Sequence, residues 1–334
     1  MKRAGNLYPK IYQYENLMLA FCKASRGKRS RPDVISFGNH LEANIHKLRQ
    51  DLITHCPDLG HYRFFRVNDP KPRAICAASF PERVLHHAIM NVCEPVFESY
   101  AIFDSHACRK GKGNHNALAR VQTFTRKYSW YLKLDIKKYF DSIDQGVMMD
   151  GLTRRFKDRE LLDLFVQLLA TYHTQPGKGL PIGNLISQHL ANFYLGLFDH
   201  WIKEEMQVKG YVRYMDDFIV LGPDKSFVKE KLHQIQHYLN GKLCLTVKEN
   251  VQLNRCCYGI PFLGYRVFSS HMRLSLYSRQ RFVDKFRAYE KKWVEGEWSM
   301  GELVRHMEPL IAVTRKARTT ALRQQIIERF GVLS

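Results

Sequence analysis

Between Tyr211 and Leu221 the chain sets two strongly β-forming runs on either side of adjacent aspartates, Asp216 and Asp217. Aspartate is unfavourable in strands, and neighbouring carboxylates repel. The segment fits a tight hairpin whose tip presents both acids. An Asp-Asp pair is also an ordinary polar turn, so this segment alone leaves both readings open. A second segment shifts the balance. Tyr128 to Ile136 reads as a short strand with Trp130, Leu132, Leu134 and Ile136 on one side, and Asp135 stands near its end. Magnesium prefers hard oxygen ligands and takes few of them from protein. Two such ions roughly 4 Å apart serve both sides of an in-line phosphoryl displacement. Asp135 and Asp216, with Asp217 nearby, supply a bridging set for such a site.

The rest of the chain reads as mixed α+β with a helical tail as its own lobe. Residues 1–50 read as helices around a basic turn. Residues 61–80 alternate as strands about a turn bracketed by Pro70 and Pro72. Helical spacing covers Pro81–Phe97, residues 155–173, 185–207 and 226–240. Strands are expected around Leu243–Val247 and Ile260–Phe268, and helices beyond Ser278. A chain of 334 residues predicts about two or three subdomains. We expect an N-terminal helical basic extension over 1–60, an interleaved core over 61–267 and a helical lobe over 268–334.

The formal net charge is +20, with basic residues along the whole chain. A protein this basic expects a polyanion, and phosphate backbones are the commonest. No long apolar span and no lipid-anchor signal point to a membrane. The start, Met1-Lys2-Arg3-Ala4-Gly5-Asn6, lacks the apolar stretch of a secretory signal, so a cytoplasmic location is expected. The eight cysteines are scattered without a C-x-x-C pair, which argues for free thiols and against a zinc knuckle. His86, His87, His106 and His115 lack a matching ligand spacing and read as structural or RNA-facing.

Tyr214-Met215-Asp216-Asp217 resembles the Y-x-D-D motif of reverse transcriptases, and further matches follow in the family's order. Lys71-Pro72-Arg73-Ala74-Ile75 is similar to the first fingers motif, and Ser105 through Gly113 to the second. Asp135 through Phe140 resembles the first palm motif, Gly179 through Gln188 the second, and Phe262-Leu263-Gly264-Tyr265 the primer-grip turn. The resemblance implies a right-hand polymerase with fingers, a palm of antiparallel sheet backed by helices, and a helical thumb. It implies RNA-directed DNA polymerase activity with two Mg2+ ions, Mn2+ being a possible substitute. Asp135, Asp216 and Asp217 become the catalytic residues and, with Ile136, the metal-binding ones. Lys71, Arg73, Arg109, Phe140, Ile182, Gly183 and Gln188 would meet the incoming nucleotide, with Phe140 as a gate against the ribose 2′-hydroxyl. Lys248 matches either a fourth palm motif or a solvated strand position. The implied partners are an RNA template, a DNA or RNA primer with its cDNA, and deoxynucleoside triphosphates.

Many relatives carry Q-G-x-x-x-S-P in the second palm motif. Here Ile182 replaces the Gln and Gln188 the Pro. This variant most resembles the reverse transcriptases of diversity-generating retroelements, which implies an error-prone enzyme, bacterial or phage-encoded, with a small basic accessory protein. The chain stops at Ser334 after the thumb-like helices, so no RNase H or endonuclease domain is expected. A bacterial antiphage reverse transcriptase with a dedicated non-coding RNA shares the same core. A reading from another class is a non-catalytic RNA-binding module, which would keep the basic tail around Arg305, Arg315, Lys316, Arg318 and Arg323. Such a module would not need the three aspartates, the Phe gate and the triphosphate grip together.

Overall fold

A computed structural model describes residues 3–68 and 72–330, the side chain of Phe330 excepted. Four helices open the chain: α1 (Tyr8–Ile11), α2 (Tyr14–Ser25), α3 (Pro32–Asn39) and α4 (Leu41–Ile53). The basic turn lies between α2 and α3, as the sequence predicts. An antiparallel hairpin, β1 (Tyr62–Asn68) with β2 (Pro72–Ala78), follows. Helix α5 (Phe80–Tyr100) comes next, with the Ser79 hydroxyl accepting from the Glu82 N–H at its start.

The central sheet has four antiparallel strands in the order β4 (Gly210–Tyr214), β5 (Asp217–Gly222), β3 (Trp130–Asp135), β6 (Gln252–Arg255). Its strands alternate, so the two faces enter different cores. Leu132, Leu134, Phe218 and Val220 face the large core with the short helix α7 (Tyr139–Ser142) and helices α8 (Gln145–Thr153), α9 (Arg159–Ala170), α10 (Leu185–His200) and α11 (Lys225–Leu243). Tyr131, Val212, Ile219 and Leu221 face a second core built on helix α6 (Asn114–Thr125). That core also holds the small antiparallel sheet β7 (Ile260–Phe262), β8 (Tyr265–Val267) and β9 (Met272–Leu274). Helices α12 (Leu276–Val294), α13 (Met300–Thr314) and α14 (Thr320–Phe330) pack round Phe282, Phe286, Leu303 and Met307 as a lobe with its own small core. The mixed α+β class and the antiparallel, helix-backed sheet of a right-hand polymerase are thus both present.

Three sequence expectations need correction. The helix expected over 155–173 begins only at Arg159, because Asp158 is drawn away. Its carboxylate accepts from the backbone N–H groups of Asn6 at 2.7 Å and Tyr8 at 2.9 Å, and also from that of Leu7. The strand expected at Leu243–Val247 is absent. Helix α11 runs to Leu243, Cys244 turns left-handed at φ 51°, and the following residues form only an isolated bridge, Ile136 to Val247. The strand that pairs with β3 on this side is β6. The run expected over Ile260–Phe268 is broken into β7 and β8, because Leu263 (φ 48°) and Gly264 (φ 82°) both take the left-handed conformation of a two-residue hairpin turn.

All eight cysteines are free thiols. His86 and His106 are buried, and loss of solvation lowers the first to about 3 and the second to about 4, so both are neutral structural residues. Among the described residues no helix is long and apolar enough to cross a membrane.

Candidate active site

Antiparallel pairing sets the site. Strand β3 lies against β5 with Asp135 directly opposite Asp217. Strand β5 turns back to β4 with Tyr214 opposite Asp217, so Met215 and Asp216 are the two residues of the turn. Met215 sits at φ 55°, which costs a non-glycine residue about 1–2 kcal/mol. Backbone strain of this kind clusters at functional sites.

The carboxylates are electrostatically costly as they stand. Burial pushes Asp217 up to about 6, and Asp135 and Asp216 push the same way while Lys133 opposes them. Asp216 is also raised, by burial first and then by Asp135, against Lys248 and Arg73. Two lysines supply counter-charge. Lys248 Nζ lies 2.7 Å from Asp135 Oδ1. Lys133, two residues before Asp135 on the same strand face, lies 3.2 Å from Asp217 Oδ1. That contact is an ion pair without hydrogen-bond alignment, so the buried Asp217 Oδ1 keeps an unused acceptor site.

The other candidate residues approach through one loop. Gly179 N–H donates to the Ile143 carbonyl and Leu180 N–H to the Phe140 carbonyl, each at 2.8 Å. The loop then meets β2, where Cys76 N–H donates to the Ile182 carbonyl at 2.7 Å and Ala78 N–H to Asn184 Oδ1 at 3.0 Å. Gly183 is required at this crossing. Its φ is 119°, and a Cβ would stand 2.7 Å from Ile75 Cγ2. The Ile182-Gly183 loop is thereby joined to β2, the strand that carries Arg73, and to the backbone of Phe140. Phe140 is half-buried against the Tyr139 ring. Ile136 buries its side chain, and its bridge to Val247 uses the Asp135 carbonyl and the Lys137 N–H, leaving its own carbonyl outside that bridge.

Other candidates lie differently. Lys71 falls outside the described residues. The Arg109 guanidinium is committed to Glu98 and to the carbonyls of Ile102 and Ser105, so it ties α5 to the following loop. Gln188, one turn into α10, accepts from Cys108 Sγ at 3.5 Å. Phe262 and Tyr265 are buried, flanking the Leu263-Gly264 turn.

Sequence reasoning missed Lys133 and the pair Arg213 and Asp199. Arg213 and Asp199 are fully buried and joined at 2.5 and 2.8 Å. A signal existed. Arg213 interrupts the apolar strand Tyr211-Val212, and Asp199 ends an apolar helical run. Buried charges are almost always paired.

The family described as reverse transcriptase (RNA-dependent DNA polymerase) matches residues 67–267, well over half of the chain. The chain belongs to the reverse transcriptase family. Among its relatives is a putative COX1/OXI3 intron 1 protein of Saccharomyces cerevisiae, 25% identical over 79% of this chain and 39% of that one. Protein YkfC of Escherichia coli is 23% identical over 73% of this chain and 75% of its own. The group II intron-encoded protein LtrA of Lactococcus lactis is 26% identical over 41% of this chain and 24% of its own. The chain thus spans about two fifths of the length of the yeast protein. A solved telomerase from Candida albicans aligns with a TM-score of 0.46 and 13% identity over 79% of this chain and 54% of that one.

Reverse transcriptases work with divalent metal ions. The donor set here fits such ions. It offers hard oxygens from three acids, one of them with a buried and unsatisfied atom, and burial disfavours the charge of Asp216 and Asp217 without a cation. Among the described residues no three acidic, His or Cys side chains already converge as ligands, in keeping with Asp135 and Asp217 facing their lysines.

The raised Asp217 gives a linkage prediction. Its folded value lies above its unfolded value of 3.8, so the penalty is absent below that pH, grows as pH rises, and is complete above about 6. In chelator above that pH, Asp217→Asn should stabilise the protein by about 1–2 kcal/mol. The shift alone would allow nearly 3, discounted for the 23% exposure of the side chain. Mg2+ should raise the melting temperature of the natural protein more than that of the variant. Urea unfolding across pH, with and without Mg2+, measures both, and a variant no more stable in chelator would refute the electrostatic reading.

Proposed function

We propose that this protein copies RNA into DNA by nucleotidyl transfer at the site formed by Asp135, Asp216 and Asp217. The observation that supports this most is the register that sets Asp135 opposite Asp217, beside Asp216 at the hairpin tip. Mg2+, or Mn2+ in its place, would be held by these acids and the Ile136 carbonyl, and would supply charge neutralisation and acidify the primer hydroxyl. The residues of the chain bind and orient. Arg73, electrostatically coupled to Asp216, grips the triphosphate together with Lys71. Phe140 closes on the sugar, Ile182, Gly183 and Gln188 line the nascent pair, and Phe262 through Tyr265 receive the primer end. Arg109 supports this pocket through the backbone it holds. Residues 1–60 act as a basic extension, 61–267 as fingers and palm, and 268–334 as the thumb.

The finer reading is an error-prone enzyme of the diversity-generating kind, bacterial or phage-encoded and cytoplasmic, with a dedicated template RNA and a basic accessory protein. Its support is Ile182 where many relatives have Gln. An antiphage role on a non-coding RNA uses the same chemistry. Relatives named as intron-encoded proteins and nuclear intron maturases favour a second reading, in which the core also binds a structured RNA without copying it.

Primer extension on a defined RNA separates the two classes. Asp216→Asn keeps the shape of the turn and removes one charge, so extension should fall on the order of a thousandfold or more while the fold persists. An inactive natural protein that still binds RNA tightly would leave the binding reading standing. Phe140→Ala should raise ribonucleotide incorporation relative to deoxyribonucleotide, measured as a ratio of extension efficiencies. An unchanged ratio would return Phe140 to a packing role. Replacing Ile182 by Gln should add one hydrogen bond worth roughly 0.5–1.5 kcal/mol, which converts to a severalfold gain in fidelity. Deep sequencing of cDNA from both proteins should show frequent errors opposite template adenine, reduced in Ile182→Gln. Low error at every template base in the natural protein would end the diversity-generating reading.

A further inference from the structure

The Met215-Asp216 turn begins from a strained residue, and one buried side chain holds it. All five N–H donors of Arg213 are used. Nε reaches Asp199 Oδ1 at 2.8 Å, and Nη2 reaches Asp199 Oδ2 at 2.5 Å and the Asn192 carbonyl at 3.2 Å. Nη1 reaches Asn192 Oδ1 at 2.9 Å and the Met215 carbonyl at 3.0 Å. The Tyr211 hydroxyl donates to Asp199 Oδ1 at 2.7 Å. The Arg213 backbone is pinned as well, its N–H donating to the Asp104 carbonyl at 2.9 Å and its carbonyl accepting from His106 at 3.0 Å.

A buried ion pair is a poor way to gain stability, since apolar residues of similar volume serve as well or better. What an apolar residue cannot do is hold the Met215 carbonyl. That carbonyl belongs to the peptide between left-handed Met215 and Asp216, so its direction fixes how the aspartates leave the turn.

We propose that Arg213, braced by Asp199 on α10, is the positioning residue of the turn, holding Met215 so that Asp216 and Asp217 project together into the site. This rests on the polymerase reading of those acids. Tyr211 and Asn192 complete the brace, so α10 is coupled to the turn through a single guanidinium, while Asp104 and His106, in the loop before α6, hold the Arg213 backbone.

The test uses Asp199→Asn/Arg213→Met, which removes both buried charges while Asn still accepts from Tyr211. The double variant should keep the natural melting temperature. Its Mn2+ affinity, measured by electron paramagnetic resonance, should fall by about tenfold. Its kcat should fall by about a hundredfold with little change in KM for the nucleotide. Arg213→Lys is the second variant. It keeps a charge against Asp199 but has too few donors to serve Met215 as well, and it should show the same Mn2+ defect. Natural Mn2+ affinity and kcat in either folded variant would overturn the proposal. Failure of both variants to fold would also overturn it, by making the pair purely structural. If the natural protein does not extend primers, the polymerase reading fails, and the Mn2+ titration still decides the role of Arg213.

Discussion

The antiparallel contact between β3 and β5 is the constraint on which the site depends. It brings Asp135 and Asp217 face to face on adjacent strands, where like charges oppose pairing. The sheet tolerates this because its other positions are among the most buried in the protein: Leu132, Leu134, Phe218, Ile219 and Val220 are at or near zero exposure. Burial of those side chains, at about 1.5–3 kcal/mol each, outweighs the repulsion at the strand ends. Lys133 and Lys248 then offset part of the charge. The same arrangement that is unfavourable for the folded chain alone is chemically suited to cations.

Around that contact the protein uses backbone as much as side chains. The loop over 179–184 is held on one side by the carbonyls of Phe140 and Ile143, and on the other by N–H groups of β2. A loop satisfied in this way can be buried without orphaned polar groups. It also ties the β1–β2 hairpin, exposed over much of its length, to the rigid sheet. The helical lobe is fastened in a comparable manner. The Ser275 N–H donates to the Gly264 carbonyl at 2.9 Å, and the Tyr265 hydroxyl to the Val313 carbonyl at 2.5 Å. The Leu263-Gly264 turn is therefore the joint between the sheet and the helices beyond it.

Much of this was legible in the sequence. The aspartate hairpin, the strand ending at Asp135 and the α+β class follow from local pattern, because strand alternation and turn chemistry are short-range properties. The ordered motifs carried the family. Boundaries were less legible where a long-range bond decided them. Asp158 is spent on the N-terminal backbone, 150 residues away from Tyr8, and no local rule anticipates it. Residues 243–247 have strand-forming side chains, yet the sheet edge beside β3 was taken by β6.

The sequence by itself determined which residues could do chemistry, since only the side-chain types and their spacing are needed to single out three acids and an arginine-bearing hairpin. Tertiary structure alone decided how those residues are held. Register set Asp135 against Asp217, the crossing at Gly183 tied the loop that holds the Phe140 backbone to β2, and the buried charge of Arg213 met its acidic partner, Asp199, across two elements. The physical reason is that burial cost and hydrogen-bond satisfaction depend on everything packed around a group. No window of sequence contains that information.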